Sequence, residues 1–462
     1  MNPLNYFLKN GGSEMVKKAL TSASNSGGAL VPESLRQAIT DTAIRLAPEF
    51  ALMSSEQATG KTHEFNKLTS RGNIAGSMGE NAVTPQTNST YERATVDLKV
   101  TRRKGLVTDF EQEAAAKFVD ALQLEINSQI EQQVYSLNLL NLYGNELANS
   151  YQYGGWNRLI STNRLQSGFT SGAATVPTNL RVLDNMIDAS NRRGGAKHRR
   201  AFIMSPEMHS LFSSLLTNVR NVQGQVAGTT QVNIGGGWVL DAYRNIPIVE
   251  STFVPGSLSD TMGTVTATSG GTSGGTLSDG TYYFRVDAIT ANGPTMASAE
   301  SSVTLSGGGS TQKITLSFTA VTDAIAYRVY YSSSTGLTGM TLIDWVAANA
   351  YDSDGTIGAA VTSISITSVA ASARITSAMA ADKPLTAVGG VKGEEIMLID
   401  FDTVQGMGSM ALLNKGSAGS GFISMKPVYP SDAGLPFLLY THGAVVPAYE
   451  GTSVLSRGWR AA

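Results

Sequence analysis

The sequence predicts a mixed α+β protein interrupted by an all-β insertion. Three observations lead there. Apolar residues recur at four-residue steps through residues 108–141, short runs of period two gather in residues 258–370, and the charge composition changes at the borders of that second segment. Residues 258–370 hold three cations against eight carboxylates, a net of −5, whereas the rest of the chain has 31 basic and 28 acidic residues. A separate, mildly acidic domain follows from that shift.

The whole chain, 462 residues with a net charge of −2, is long enough for two or three cores and lacks the global basic footprint of a nucleic-acid-binding protein. It has no cysteine, which excludes disulfides and thiolate metal sites. No run approaches the ~18 apolar residues of a membrane span, and the opening MNPLNYFLKNGG lacks the apolar stretch of a signal peptide. The expectation is a product that is cytosolic when made, with no membrane partner.

The elements follow in order. In residues 62–68, THEFNKL reads as a strand, and ERATVDLKVTRR returns with Ala94, Val96, Leu98 and Val100 alternating. Their connection of about twenty residues far exceeds the two to five of a normal hairpin loop, so it reads as a projecting arm. One long helix is expected over residues 108–141, with Phe118, Leu122, Ile126, Ile130 and Val134 in its stripe, a Thr108–Glu111 capping box and Gly144 as its stop. Thirty-odd residues at ~1.5 Å each would make a rod of roughly 50 Å.

Beyond it, Thr178 is expected to cap a helix bearing Leu180, Leu183, Met186 and Ile187 that ends at Gly194-Gly195. Strand RAFIM follows, then Ser205-Pro206-Glu207 as a helix start, and two strands around a tight turn in WVLDAYRNIPIVES. In the insertion, Tyr282, Phe284, Val286 and Ala288 alternate with Tyr283, Arg285 and Asp287; Ile314, Leu316 and Phe318 alternate likewise, as do Tyr327, Val329 and Tyr331. Several half-buried strands of this kind predict a small β-sandwich, with ATSGGTSGGTLSDG as a flexible lead-in. EEIMLIDFDTV and LPFLLYTHGAVVPAY supply further strands after it.

Chemistry is scarce. His63, His198, His209 and His442 are isolated in sequence, with no ligand-type spacing, and no GxSxG motif occurs. Gly406, Gly408 and Ala411 match a dinucleotide-binding GxGxxA, but no helix pattern or acidic ribose partner follows. Asp352 and Asp354 resemble a fragment of a calcium loop whose later ligands are missing, and the glycines around Ser417 and Ser420 read as loop. An exposed Tyr283 or Tyr330 would suit a sugar, although such residues are more often core. The expectation is no catalytic residue, no metal and no cofactor. NRRGGAKHRR, residues 191–200, packs four arginines, a lysine and a histidine into ten residues. Arg192 and Arg193 read as the last turn of a helix, and Lys197, His198, Arg199 and Arg200 as a solvated connector; the other reading of Arg192, Arg193, Lys197, Arg199 and Arg200 is contact with nucleic acid or with a neighbouring subunit.

Arm, rod, α/β body and insertion, in this order, resemble the major capsid proteins of tailed double-stranded DNA phages, the Hong Kong 97-type fold. GGALVPESLRQAI, residues 27–39, is similar to the N-terminal arm of many of them, and FIMSPEMHSLFSSL, residues 202–215, to their axial strand-then-helix. The resemblance implies an N-terminal arm over 1–60, an extended hairpin loop over 61–107, spine helix and axial and peripheral body over 108–257, an insertion over 258–370, and a return to the body over 371–462. The insertion resembles an immunoglobulin-like or fibronectin type III module, with its strands in a departing order.

What the resemblance implies is a non-enzymatic coat protein that assembles through hexamers and pentamers into an icosahedral virion shell in the host cytoplasm, with the sandwich on the outer surface. Packaged double-stranded DNA, a portal, decoration proteins and a separate scaffold are the implied partners, the last because only about 26 residues precede Gly27 where the founding member has a long cleaved segment. Some members crosslink a lysine to a neighbour's asparagine; Lys61, Lys67, Lys99 and Lys104 read more simply as solvated charge. The alternatives are a tail or baseplate component with a sugar-binding sandwich, a glycan hydrolase for which no carboxylate pair is evident, and a nanocompartment shell, which usually lacks such an insertion.

Overall fold

The computed structural model describes residues 48–461 except 73–75, 78–79, 84–85, 116–119, 224–228, 236–237, 352–355, 414–421 and 429–433. Most of the expected N-terminal arm, the GGALVPESLRQAI run included, lies outside the described residues.

The chain begins with α1 (Pro48–Leu52) and β1 (Ser54–Gln57), forms the hairpin β2 (Thr62–Ser70) and β3 (Thr90–Asp97), and continues into β4 (Lys99–Thr108). Helices α2 (Asp109–Ala115), α3 (Ala121–Tyr143) and α4 (Trp156–Leu159) follow, then the short strands β5 (Arg164–Leu165), β6 (Phe169–Thr170) and β7 (Ala173–Ala174). Next come α5 (Arg181–Asn191), β8 (Arg200–Met204), α6 (Pro206–Gln223), β9 (Thr229–Gly235), β10 (Trp238–Tyr243) and β11 (Ile246–Glu250).

The insertion supplies β12 (Val265–Gly271), β13 (Gly280–Thr290), β14 (Gly293–Pro294), β15 (Ser301–Leu305) and β16 (Lys313–Phe318). It continues with β17 (Ala326–Ser332), β18 (Thr341–Ala347), β19 (Asn349–Tyr351), β20 (Ile357–Ala360) and β21 (Ser363–Ile366). The body closes with β22 (Glu394–Asp400), β23 (Ser409–Leu412), β24 (Ser424–Pro427), β25 (Gly434–Val446) and β26 (Val454–Trp459).

The long helix expected over residues 108–141 is described as two. The Thr108–Glu111 capping box forms, each backbone N–H donating to the other's side chain at 3.4 and 3.2 Å, but it starts only the seven-residue α2. Asp120 then leaves helical geometry at φ −77° and ψ 100°, and its carboxylate accepts from the Gln123 N–H at 3.1 Å. An aspartate offering its own cap competes with helix continuation, so a second helix starts there. Phe118 lies outside the described residues. The 23 residues of α3 span roughly 35 Å, not 50. Gly144 stops the helix as expected but with an extended backbone: a Cβ there would lie 2.3 Å from the Tyr153 carbonyl, so close approach of the returning chain requires the glycine.

Two sheets build the body. One has the order β1-β23-β25-β24, with β4 along the other edge of β25; the other has seven strands in the order β5-β26-β22-β8-β11-β10-β9. On one face of the seven-stranded sheet, Phe202, Met204, Ile396 and Leu398 pack against Leu183, Met186 and Ile187 of α5 and Phe212 of α6. On the other, Ile203, Met397 and Leu455 join Leu137 and Leu142 of α3 and Trp156 of α4. Ser205 caps α6 as the sequence predicts, accepting from the Met208 N–H at 3.1 Å. Thr178 does not cap α5: the N-cap position is Leu180, whose side chain makes no cap, and Asn179 before it accepts from the Arg181 N–H at 3.0 Å.

Residues 265–366 form a two-sheet sandwich. Strands β12-β16-β21 make one sheet and β14-β13-β17-β18 the other, with β15 also on β13. Phe284, Val286, Tyr327 and Val329 meet Ile314, Leu316, Ile364 and Ile366 between them. The start of the run expected as a flexible lead-in, Ala267 to Gly271, belongs to β12, which pairs with β16 over Val265 to Gly271; the β-branched residues Val265, Thr266 and Thr268 favour extended backbone more than Ser and Gly oppose it. Tyr330 is fully buried, which removes it as a sugar platform. The polar alternation on β13 also does not face water. Ile289, Tyr330, Leu342 and Trp345, on the far face of that sheet, belong to the body's core.

Trp156 fills the middle of that core, donating its indole N–H to the Met407 carbonyl at 2.9 Å and meeting Phe401 edge-on at 5.5 Å. Trp156→Ala is expected to cost about 3–5 kcal/mol in urea unfolding, whereas Leu258→Ala, at a side chain 58% exposed, stays within about 0.5 kcal/mol.

Candidate functional site

Strands β2 and β3 form a two-stranded hairpin. Its register runs from Thr62 opposite Asp97 to Ser70 opposite Thr90, and neither strand pairs with a third among the described residues. Only its base is seated. Phe65 and Val96 lean on the body's core, the Leu98 N–H donates to the Lys61 carbonyl at 2.9 Å, and the Thr62 hydroxyl donates to Asp97 at 3.0 Å. His63 lies 3.4 Å from Glu56 of β1. Farther out, Leu68 and Tyr91 face each other across the strands at 40% and 71% exposure. A two-stranded ribbon is marginal alone in water, so these outer residues call for a covering surface. Beneath the base, a cleft of about 280 Å³ is lined by Asp97, Lys99, Tyr153 and the Glu146–Arg158 ion pair.

The basic connector divides. Arg192 is the residue that ends α5, its N–H donating to the Asp188 carbonyl at 3.0 Å, and Gly194 makes the left-handed turn at φ 96°. Arg192, Arg193, Lys197 and Arg199 are exposed, and none of them forms an ion pair among the described residues. Arg200 is buried at the start of β8, where it donates to Ser190 at 2.9 Å and Asn191 at 2.8 Å. Burial lowers its pKa, and the charge of Asp400 opposes that shift. Arg200 thus ties β8 to α5, and the outward-facing group consists of the other four.

The histidines that are isolated in sequence find partners in space. His198 meets Asp400 at 2.5 Å and Gln405 at 3.1 Å. His209 of α6 meets Glu250 of β11, with Asp241 of β10 at 3.5 Å from its other nitrogen and the Ser213 hydroxyl at 3.3 Å. Ser213, His209 and Glu250 have the connectivity of nucleophile, base and orienting acid, but Ser213 lies inside α6, whose N–H groups serve the helix rather than an oxyanion. Sequence spacing misses these pairs because their partners come from other elements. Among the described residues no cluster of His, Asp and Glu could hold a metal ion. Gly406 and Gly408 precede strand β23, not the helix that a dinucleotide needs. Asp352, Asp354, Ser417 and Ser420 lie outside the described residues.

No family model matches the chain, and no curated relative matches it. Among solved structures it is similar to the holo-SrpI encapsulin complex from Synechococcus elongatus, with a TM-score of 0.46, 10% identity, and 96% of this chain and 97% of that one covered. The capsid of an empty GTA particle has a TM-score of 0.46 and 10% identity over 95% and 99% of the two chains. For the capsid of cyanophage P-SCSP1u the values are 0.45 and 10% over 96% and 97%.

Two carboxyls outside these surfaces make the body pH-sensitive. Burial pushes Glu49, in α1 against α3, up to about 7 against hydrogen bonds from Ser251 and Asn138. Burial likewise takes Glu394 to about 7, opposed by Ser205 and assisted by Glu207. A carboxyl whose folded pKa lies above its unfolded value favours the fold below about pH 4.5 and loses that contribution as pH rises through 7. Stability is expected to fall between pH 5 and pH 8 by up to about 3 kcal/mol per group. Denaturant midpoints measured across that window should flatten in Glu49→Gln and Glu394→Gln.

Proposed function

We propose that the chain is a shell subunit, the major capsid protein of a tailed double-stranded DNA phage, assembling through hexamers and pentamers into an icosahedral head. The observation that carries this reading is the hairpin β2–β3, which among the described residues has no third strand and keeps Leu68 and Tyr91 exposed. In a closed lattice, each hairpin lies over a neighbour and each body receives one, so a heterologous contact repeats around a ring. Obligate contacts of this sort commonly exceed ~2,000 Å². The near-zero net charge suits like subunits packed together. Supporting the same reading is the order of elements: hairpin, helices α2 and α3, a body of two sheets, and a sandwich inserted between β11 and β22.

In this reading the finished product resides in the virion, with a separate scaffold, a portal and decoration proteins as assembly partners and the packaged genome inside. The four exposed cations Arg192, Arg193, Lys197 and Arg199 meet either DNA phosphates or a neighbour's carboxylates, and contact with DNA would be sequence-blind and salt-sensitive.

Electron microscopy of the expressed chain, alone and with its scaffold, is expected to show closed particles or rings. A monomer under every assembly condition would refute the proposal. Leu68→Thr with Tyr91→Thr, which keeps two strand-forming residues opposite each other without adding charge, should leave monomer stability within about 1 kcal/mol, since both side chains are exposed, while abolishing sedimenting assemblies. Replacing the four connector cations by alanine separates their two roles: intact shells that lose DNA assign them to the genome, and failed shells assign them to the neighbour.

A further inference from the structure

Six charged side chains meet in the interior where the sandwich sits on the body. From the sandwich, Arg328 of β17 grips Asp287 of β13 through two hydrogen bonds of 2.8 Å, and the Tyr330 hydroxyl donates to the same carboxylate at 3.0 Å. From the body, Arg457 of β26 lies 2.7 Å from Glu395 of β22 and 3.0 Å from Asp382, which Arg164 also holds. None of the six side chains is more than 4% exposed, and their three positive and three negative charges balance. Tyr330 joins the halves, lying close enough to Arg457 and Asp382 for each charge to act on its hydroxyl.

This cluster is a poor source of stability. Arg328 Nη1 and Arg457 Nη2 have no hydrogen-bond acceptor although buried, and dehydrating six ions costs about as much as their attraction returns. The apolar contacts around it, from Ile289, Leu342 and Trp345, are non-directional; beside them, single backbone hydrogen bonds also join the sandwich to the body, from the Leu342 N–H to the Asp382 carbonyl at 3.1 Å and from the Ala297 N–H to the Leu385 carbonyl at 2.8 Å. A two-pronged guanidinium–carboxylate contact is directional.

We infer that the buried cluster fixes the orientation of the sandwich on the body rather than the strength of its attachment. One geometry satisfies the six charges; a rotated one strands an arginine. The consequence is a fixed display. The sheet face turned away from the sandwich core carries a grid of hydroxyls in register, with Thr266, Ser317 and Ser363 in one row and Thr268, Thr315 and Ser365 in the next, and every copy would present it at the same angle. The inference does not depend on the assembly reading.

The chain has no cysteine, so Asn185→Cys on α5 and Ser365→Cys on β21, both exposed, accept a pair of spin labels in the full-length protein. Electron–electron distance measurement should give one narrow peak. With Asp287→Leu and Arg328→Met added, the melting temperature is expected to hold or rise while the peak broadens or splits. An unchanged narrow peak in that double variant would overturn the inference, as would a broadened peak accompanied by a lower melting temperature, since that would make the cluster an attachment device. Asp287→Ala alone, which strands Arg328, should abolish the narrow peak; its persistence would likewise count against the inference.

Discussion

The seven-stranded sheet has two faces, and each must be covered. Helices α5 and α6 close one. The other is closed jointly by the end of α3, by α4 and by the sandwich, whose sheet β13–β17–β18 contributes Ile289, Tyr330 and Trp345 to the core that holds Met397 and Leu455. The insertion is therefore a layer of the body as well as a domain with its own core. Because polar residues occupy the middle of that contact, they must pair with each other, and the pairing of Arg328, Asp287, Arg457, Glu395, Asp382 and Arg164 follows from that need.

The hairpin shows the opposite condition. Its strands pair from Thr62 to Ser70 with one register shift after Leu68, and its base is held by Leu98, Thr62 and His63, yet among the described residues its outer half has no layer to lie on. A two-stranded ribbon of this kind is marginal by itself in water. Helix α3 repeats this on a smaller scale: Leu137, Leu139 and Leu142 are buried, whereas Leu124 and Ile130 near its start are 43% and 37% exposed.

The same body carries ionisable groups at two extremes. Glu49 and Glu394 are buried without a cation and are held towards their neutral forms near pH 7. Asp382 is equally buried, but Arg164 and Arg457 keep it below the ordinary carboxylate range against the cost of desolvation. Burial alone does not determine protonation: the guanidiniums of Arg164 and Arg457 together outweigh it at Asp382, whereas at Asp287 burial outweighs Arg328 and raises the pKa.

The sequence by itself determined what depends on neighbours along the chain. The Thr108–Glu111 box, the Ser205 cap, the stop at Gly144, the left-handed Gly194 and strands β13, β16 and β17 all rest on interactions within a few residues or on a strict period of two. Tertiary structure decided what covers each face. Alternation along β13 distinguishes one side from the other, but whether Asp287 meets water or Arg328 depends on a residue 41 positions away, and the partners of Arg457 and Arg164 lie 62 and 218 positions away. The burial of Arg200, the pairing of His198 and His209 with carboxylates, and the recruitment of a Thr- and Ser-rich run into β12 share that cause. Local pattern reports which side chains point together, and only packing of distant elements sets the dielectric and the partner that give a charged side chain its role.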